Sequence, residues 1–193
     1  HGVALFEAGR YEAARDWFGA RDRKDSTDAQ YWLGRIEMEA GEYRRAEKHF
    51  ERAAGESPDT HEYVLWLGRA YGSRAREANM FTKGRLAPKI RDAFARAVEL
   101  KPDDIGSREN LIDFYLEAPR MLGGSTAKAR EQAEAIAQFD AVAGVRNTAR
   151  IVRAEAGPEA SLAVLEAGIE AHPNASQLYL RAAMTAQQLD EWE

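Results

Sequence analysis

Tyr31-Trp32-Leu33-Gly34-Arg35, then Gly41-Glu42-Tyr43-Arg44-Arg45-Ala46, then Phe50-Glu51-Arg52-Ala53 and Pro58 form the stretch that decides the fold, because its parts return on both sides. Upstream, Gly9-Arg10-Tyr11-Glu12-Ala13-Ala14 leads to Phe18 as Gly41–Ala46 leads to Phe50. Downstream, Trp66-Leu67-Gly68-Arg69 repeats Trp32-Leu33-Gly34-Arg35, and Phe94-Ala95-Arg96-Ala97 with Pro102 repeats Phe50-Glu51-Arg52-Ala53 with Pro58. Self-similarity at spacings of about 20–50 residues marks a chain built from stacked supersecondary units.

The residue types that return are those a two-helix unit needs. Leu33 and Gly34 put a large and a small side chain on the packed face of a first helix. Gly41 can take the left-handed conformation that ends that helix. Ala46, Phe50 and Ala53 lie on one stripe of a second helix, where small Ala permits close approach and Phe fills the space between hairpins. Pro58 stops the second helix.

Leu33, Gly34, Gly41, Tyr43, Ala46, Phe50, Ala53 and Pro58 together resemble the tetratricopeptide repeat, a helix–turn–helix motif of about 34 residues. The resemblance covers nearly the whole chain in successive repeats. It implies an all-α fold, a right-handed superhelical solenoid of such hairpins spanning residues 1–193. The frame gives a partial repeat over 1–26, a close match at 27–60, and a third repeat at 61–104 lengthened by an insertion at 72–89. A fourth at 105–141 carries an insertion at 117–124, a degenerate fifth spans 142–175, and a partial sixth spans 176–193. Ser161, Leu165, Gly168 and Pro173 mark the second helix of the fifth, and Trp192 falls where Tyr43 sits in the second. The first repeat begins in the middle of its first helix and the last lacks its second, so the chain is expected to be part of a longer repeat protein, or to have its ends covered by a partner or a second copy. The stretch from Tyr63 to Gly124, with Phe114-Tyr115-Leu116-Glu117-Ala118-Pro119 and Gly123-Gly124-Ser125, is similar to a group of bacterial tetratricopeptide proteins of undefined function. Members often look exported. The sequence alone fixes no localisation, and the resemblance favours periplasm or envelope over cytoplasm.

Composition narrows the function classes. Of the 193 residues 45% are hydrophobic and 31% charged, the balance of a folded chain, and the net charge of −5 argues against general nucleic-acid binding. There is no cysteine, hence no disulfide or thiolate metal site. No apolar run reaches the roughly 18 residues of a membrane span. The four histidines show no metal-ligand spacing, and Gly123-Gly124-Ser125-Thr126 reads as a helix N-cap and not as a phosphate loop. No cofactor, metal or catalytic set is expected, and the chain is read as a non-enzyme.

In a superhelix of this kind the concave side is lined by first helices. The ninth place of successive repeats reads Arg35, Arg69, Asp113 and Arg150; the fifth reads Tyr31, Leu65, Glu109 and Arg146; Arg153 follows on the same face. Arginine forks among Tyr and Leu suit a protein or peptide partner bearing carboxylates, which arginine binds bidentately. The competing reading is a solvated surface on which the arginines pair with Asp28, Glu62 or Glu109. The Lys and Asn pattern of the chaperone-tail carboxylate clamp is missing: Tyr31, Arg35, Glu62 and Trp66 hold those places. Arg76, Met80 and Phe81 in one insertion and Met121 in the other are candidates for a contact surface; the favoured alternative is that Met80 or Phe81 packs near Met121 and Leu122, the two insertions then forming one mutually packed ridge. A protein-binding scaffold is the leading expectation. Self-association through the repeat ends, and a regulatory or small-molecule-binding subunit, are the alternatives.

Overall fold

The computed structural model describes residues 1–20 and 26–190, so Trp192 lies outside the described residues. Among the described residues there are helices and no strands. The chain divides into two compact units, His1–Pro102 and Asp103–Glu193.

The N-terminal unit contains α1 (Gly2–Glu7), α2 (Tyr11–Ala20), α3 (Thr27–Glu39), α4 (Tyr43–Glu56), α5 (His61–Arg76) and α6 (Met80–Leu100). Each helix packs on its neighbour in sequence, and α3 also touches α5, as a stack of hairpins requires. The helix ends follow from local chemistry. Gly9 and Gly41 adopt φ of 70° and 73°, a left-handed geometry that costs a side-chain-bearing residue roughly 1–2 kcal/mol. They allow the Arg10 and Glu42 amides to bond back to the Leu5 and Glu37 carbonyls at 2.9 Å, closing α1 and α3. Second helices end differently. Ser57 and Lys101 take φ/ψ of −136/73° and −141/83°, each directly before a proline whose ring excludes the helical region for its predecessor.

Packing within the hairpins explains the repeated Leu-Gly pairs. A methyl group on Gly34 would sit 2.7 Å from the Phe50 ring, and one on Gly68 would sit 2.6 Å from Phe94. The aromatic of each second helix thus lies flat on bare backbone of the first. Gly2 faces Trp17 and Phe18 in the same way.

The extra residues of the 61–104 region are helical. α5 and α6 run to 16 and 21 residues, against 13 and 14 for α3 and α4, and only 77–79 join them. Asn79 caps α6, its side chain accepting from the Thr82 amide at 2.9 Å.

The C-terminal unit contains α7 (Ile105–Glu117), a 3-10 turn (Arg120–Leu122), α8 (Thr126–Ala137), α9 (Ala141–Ala171) and α10 (Ser176–Asp190). Asp104, Ser125 and Asp140 cap α7, α8 and α9 through hydrogen bonds to the amides of Ser107, Lys128 and Ala143. α9 is two helices meeting at Gly157, whose φ of 91° and ψ of 177° belong to a region essentially restricted to glycine. Pro158 follows as a first-turn proline of the second arm, where its missing N–H costs no helical bond. The hairpin therefore closes without a loop, and Ser161 Oγ donates to the Ala149 carbonyl across it at 2.9 Å. His172, before Pro173, ends the second arm at φ/ψ of −133/66°, the geometry of Ser57 and Lys101.

Candidate functional site

The sequence-selected positions separate into two different arrangements. In the N-terminal unit Arg35 and Tyr31 project from α3, with Arg35 Nη1 donating to the Tyr31 hydroxyl at 2.9 Å. The Arg35 guanidinium carbon lies 3.9 Å from the Trp66 ring centroid, 5.0 Å from Phe6, 5.7 Å from Trp32 and 5.8 Å from Tyr31. Rings from α1, α3 and α5 thus surround one cation. Such contacts are worth about 0.5–2 kcal/mol each, more as water is excluded. Among the described residues no carboxylate pairs with Arg35, and its Nε is buried without a hydrogen-bond partner. Arg69 also lies over the Trp66 ring, 4.7 Å from its centroid. Leu65 is buried at 7% exposure and offers no surface to a partner; it faces the core where the frame had placed it in the groove.

Asp28, which the competing reading paired with an arginine, accepts instead from the Tyr63 hydroxyl, while the Tyr63 ring packs 5.2 Å from Tyr31. Tyr71 donates to Glu51 Oε1 at 2.8 Å. Burial first, and the hydrogen bonds to carboxylates second, push both hydroxyls well above the usual tyrosine range. The sign is fixed. A folded-state value above the unfolded one adds stability that is complete below about pH 10 and is lost as pH rises further. Thermal melts across that range are expected to show a falling midpoint above about pH 10, and a Tyr63→Phe/Tyr71→Phe variant is expected to show a flatter fall. Equal slopes would mean the two hydroxyls titrate alike folded and unfolded.

The C-terminal unit places Glu109 and Asp113 on α7 opposite Arg146 and Arg150 on α9. Arg150 pairs with Asp113 and donates from Nη1 to Asn147 Oδ1 at 3.0 Å. Glu109 Oε1 accepts from Arg146 Nη2 at 3.4 Å and from Asn147 Nδ2 at 3.0 Å. Arg153 reaches Gln188 on α10 at 2.6 Å. These arginines already have acceptors within the unit, of which only Glu109 is among the carboxylates the solvated-surface reading named. Asn147, fully buried, ties the two ion pairs together.

The insertion residues stand in solvent. Met80 is 59% exposed, Phe81 76% and Met121 85%, the opposite of the burial expected if they packed away. Arg76 is exposed as well. His49, read from sequence as solvated or capping, has Nδ1 2.8 Å from the side-chain oxygen of buried Gln30. Among the described residues no group of three or more His, Asp or Glu side chains is placed to hold a metal ion, and no helix is long and apolar enough to cross a membrane.

Phe6 and Trp66 are site residues that the sequence reading left out. Phe6 lies four places after Gly2, as Met38 lies four places after Gly34, one helical turn further along a first helix.

Residues 27–70 match the sequence model of the tetratricopeptide repeat family. Among curated protein sequences none matches. Among solved structures the chain is similar to a thermophilic tetratricopeptide protein of Thermus thermophilus, with 19% identity, 96% of this chain and 95% of that chain covered, and a TM-score of 0.69. It is similar too to YrrB, a tetratricopeptide protein described as having an unusual peptide-binding site, with 19% identity, 95% and 88% coverage and a TM-score of 0.65. A third is MamA of MSR-1, with 16% identity, 97% and 93% coverage and a TM-score of 0.62. At these identities the likeness speaks for the fold.

Proposed function

From the premise of a tetratricopeptide-repeat fold, we propose that this chain is a non-catalytic protein-binding scaffold and that the ring-lined arginine surface of its N-terminal unit receives the partner. Folds of this kind generally act as interaction scaffolds and not as catalysts. The observation that carries the reading is Arg35: a cation held among four rings, with a buried Nε and no carboxylate among the described residues. A carboxylate of an incoming segment completes its pairing, while apolar side chains beside that carboxylate cover Trp66 and Tyr31. The C-terminal arginines are less suited, because a ligand carboxylate would first have to displace Glu109 or Asp113. YrrB, described by a peptide-binding site, is consistent with a peptide-sized ligand.

A peptide array pairing Asp or Glu with neighbouring aromatic and aliphatic residues, probed with the purified chain, tests this. Peptides retained by the wild type are expected to lose about tenfold or more in affinity for Arg35→Ala/Arg69→Ala, the scale of an arginine hot spot. Arg146→Ala is expected to leave them within about threefold, as a rim charge would. Retention unchanged by Arg35→Ala/Arg69→Ala would sink the reading.

A further inference from the structure

The junction of α5 and α6 carries a second surface with different chemistry. Its most exposed side chains are Met80 and Phe81, on the first turn of α6. From Arg74 to Lys89 the chain holds Arg74, Arg76, Lys83, Arg85 and Lys89 against one acid, Glu77, in a protein of net charge −5. Arg74 is tied to Glu47 and Lys89 to Glu51. Lys83 and Arg85 follow the apolar tip within the next turn or so of the same helix. α6 has no acidic residue in its first turn, so the positive end of the helix adds to theirs instead of being neutralised.

We propose that this tip docks on an anionic phospholipid surface, Met80 and Phe81 entering the headgroup layer while Lys83 and Arg85 face the lipid phosphates. Three features select a bilayer over a protein partner. A specific protein interface buries about 800 Å² on each side, more than two protruding side chains supply. An apolar wedge with a basic collar is what peripheral membrane contact requires. The first turn of α6 carries no acidic side chain, so its positive end favours the same phosphates. Acidic surface elsewhere on the chain repels the same bilayer and confines the contact to the tip.

Co-sedimentation of the full chain with unilamellar vesicles tests the proposal, using phosphatidylcholine alone and a roughly three-to-one mixture with phosphatidylglycerol. The wild type is expected to sediment with the mixed vesicles and not with phosphatidylcholine, and to be released as salt rises. Met80→Ser/Phe81→Ser and Lys83→Glu/Arg85→Glu should each lower the partition coefficient about tenfold or more. None of the four side chains is buried, so both variants are expected to melt as the wild type does. Failure of the wild type to bind mixed vesicles, equal binding to phosphatidylcholine, or binding untouched by both variants overturns the proposal. Tip-dependent retention on immobilised polyglutamate without vesicle binding would also overturn it, in favour of an acidic protein.

Discussion

Phe50→Ala is expected to destabilise the N-terminal unit by about 3–5 kcal/mol, read as a lower urea midpoint in far-ultraviolet circular dichroism. Phe50 is fully buried and its ring lies on Gly34, with Tyr31 and Trp66 centroids each 6.1 Å away. Truncation removes the transfer free energy of the ring and leaves a cavity whose cost depends on how far the walls collapse. One wall cannot move in. Gly34 has no side chain to advance, and its backbone is held by α3. Ala46 and Ala70, which border the same cluster, are equally short. The upper half of the range is therefore expected, and a loss under about 2 kcal/mol would show that Trp66 and Tyr31 repack into the space.

Asn147→Leu carries the second large effect, about 2–3 kcal/mol in the C-terminal unit. The substitution keeps the branched shape, adds volume at a fully buried site, and removes the amide that donates to Glu109 and accepts from Arg150. Hydrogen bonds to charged groups are worth about 1.5–3 kcal/mol each. Both are lost, together with the bond from Asn147 Nδ2 to the Ala143 carbonyl, but Glu109 keeps Arg146 and Arg150 keeps Asp113, which holds the total below the sum. A cycle with Asp113→Ala separates the contributions: the double variant is expected to lose more than the two singles together, because only then does Arg150 keep neither partner. Strict additivity would mean Asn147 does not couple to the ion pair.

Much of this packing was legible from residue types alone. Gly34 under Phe50 and Gly68 under Phe94 follow from the recurrence of Leu-Gly and Phe at matched places, since a bare helix face and a flat ring need each other. The charge pairing of the C-terminal unit was half visible. Asp113 and Arg150 share the ninth place of successive repeats, Glu109 and Arg146 the fifth, and equivalent places lie side by side when hairpins stack. Opposite signs at one place thus predict a pair, whereas Arg35 and Arg69 share a sign and cannot form one. The ring cage around Arg35 was not legible, because it needs Phe6 from α1 and Trp66 from α5 to turn toward α3, and tertiary packing decides that. Nor was the helical character of 72–89: a surplus over the repeat period says where residues are added and not what they form. The Gly157-Pro158 hairpin escaped for the opposite reason, since a turn without loop residues leaves nothing to disturb the helical pattern.

The placement of the indoles has a spectroscopic consequence. Trp17, Trp32 and Trp66 all lie in the N-terminal unit, and residues 103–190 contain no tryptophan. With Trp192 replaced by Phe, intrinsic emission is a signal from the first unit alone, whereas far-ultraviolet ellipticity sums the helices of both. Recorded on one sample, the two signals measure directly whether the units melt as one cooperative body or in succession. Because Trp32 and Trp66 border the Arg35 guanidinium, the same emission serves as a label-free reporter of a carboxylate arriving there.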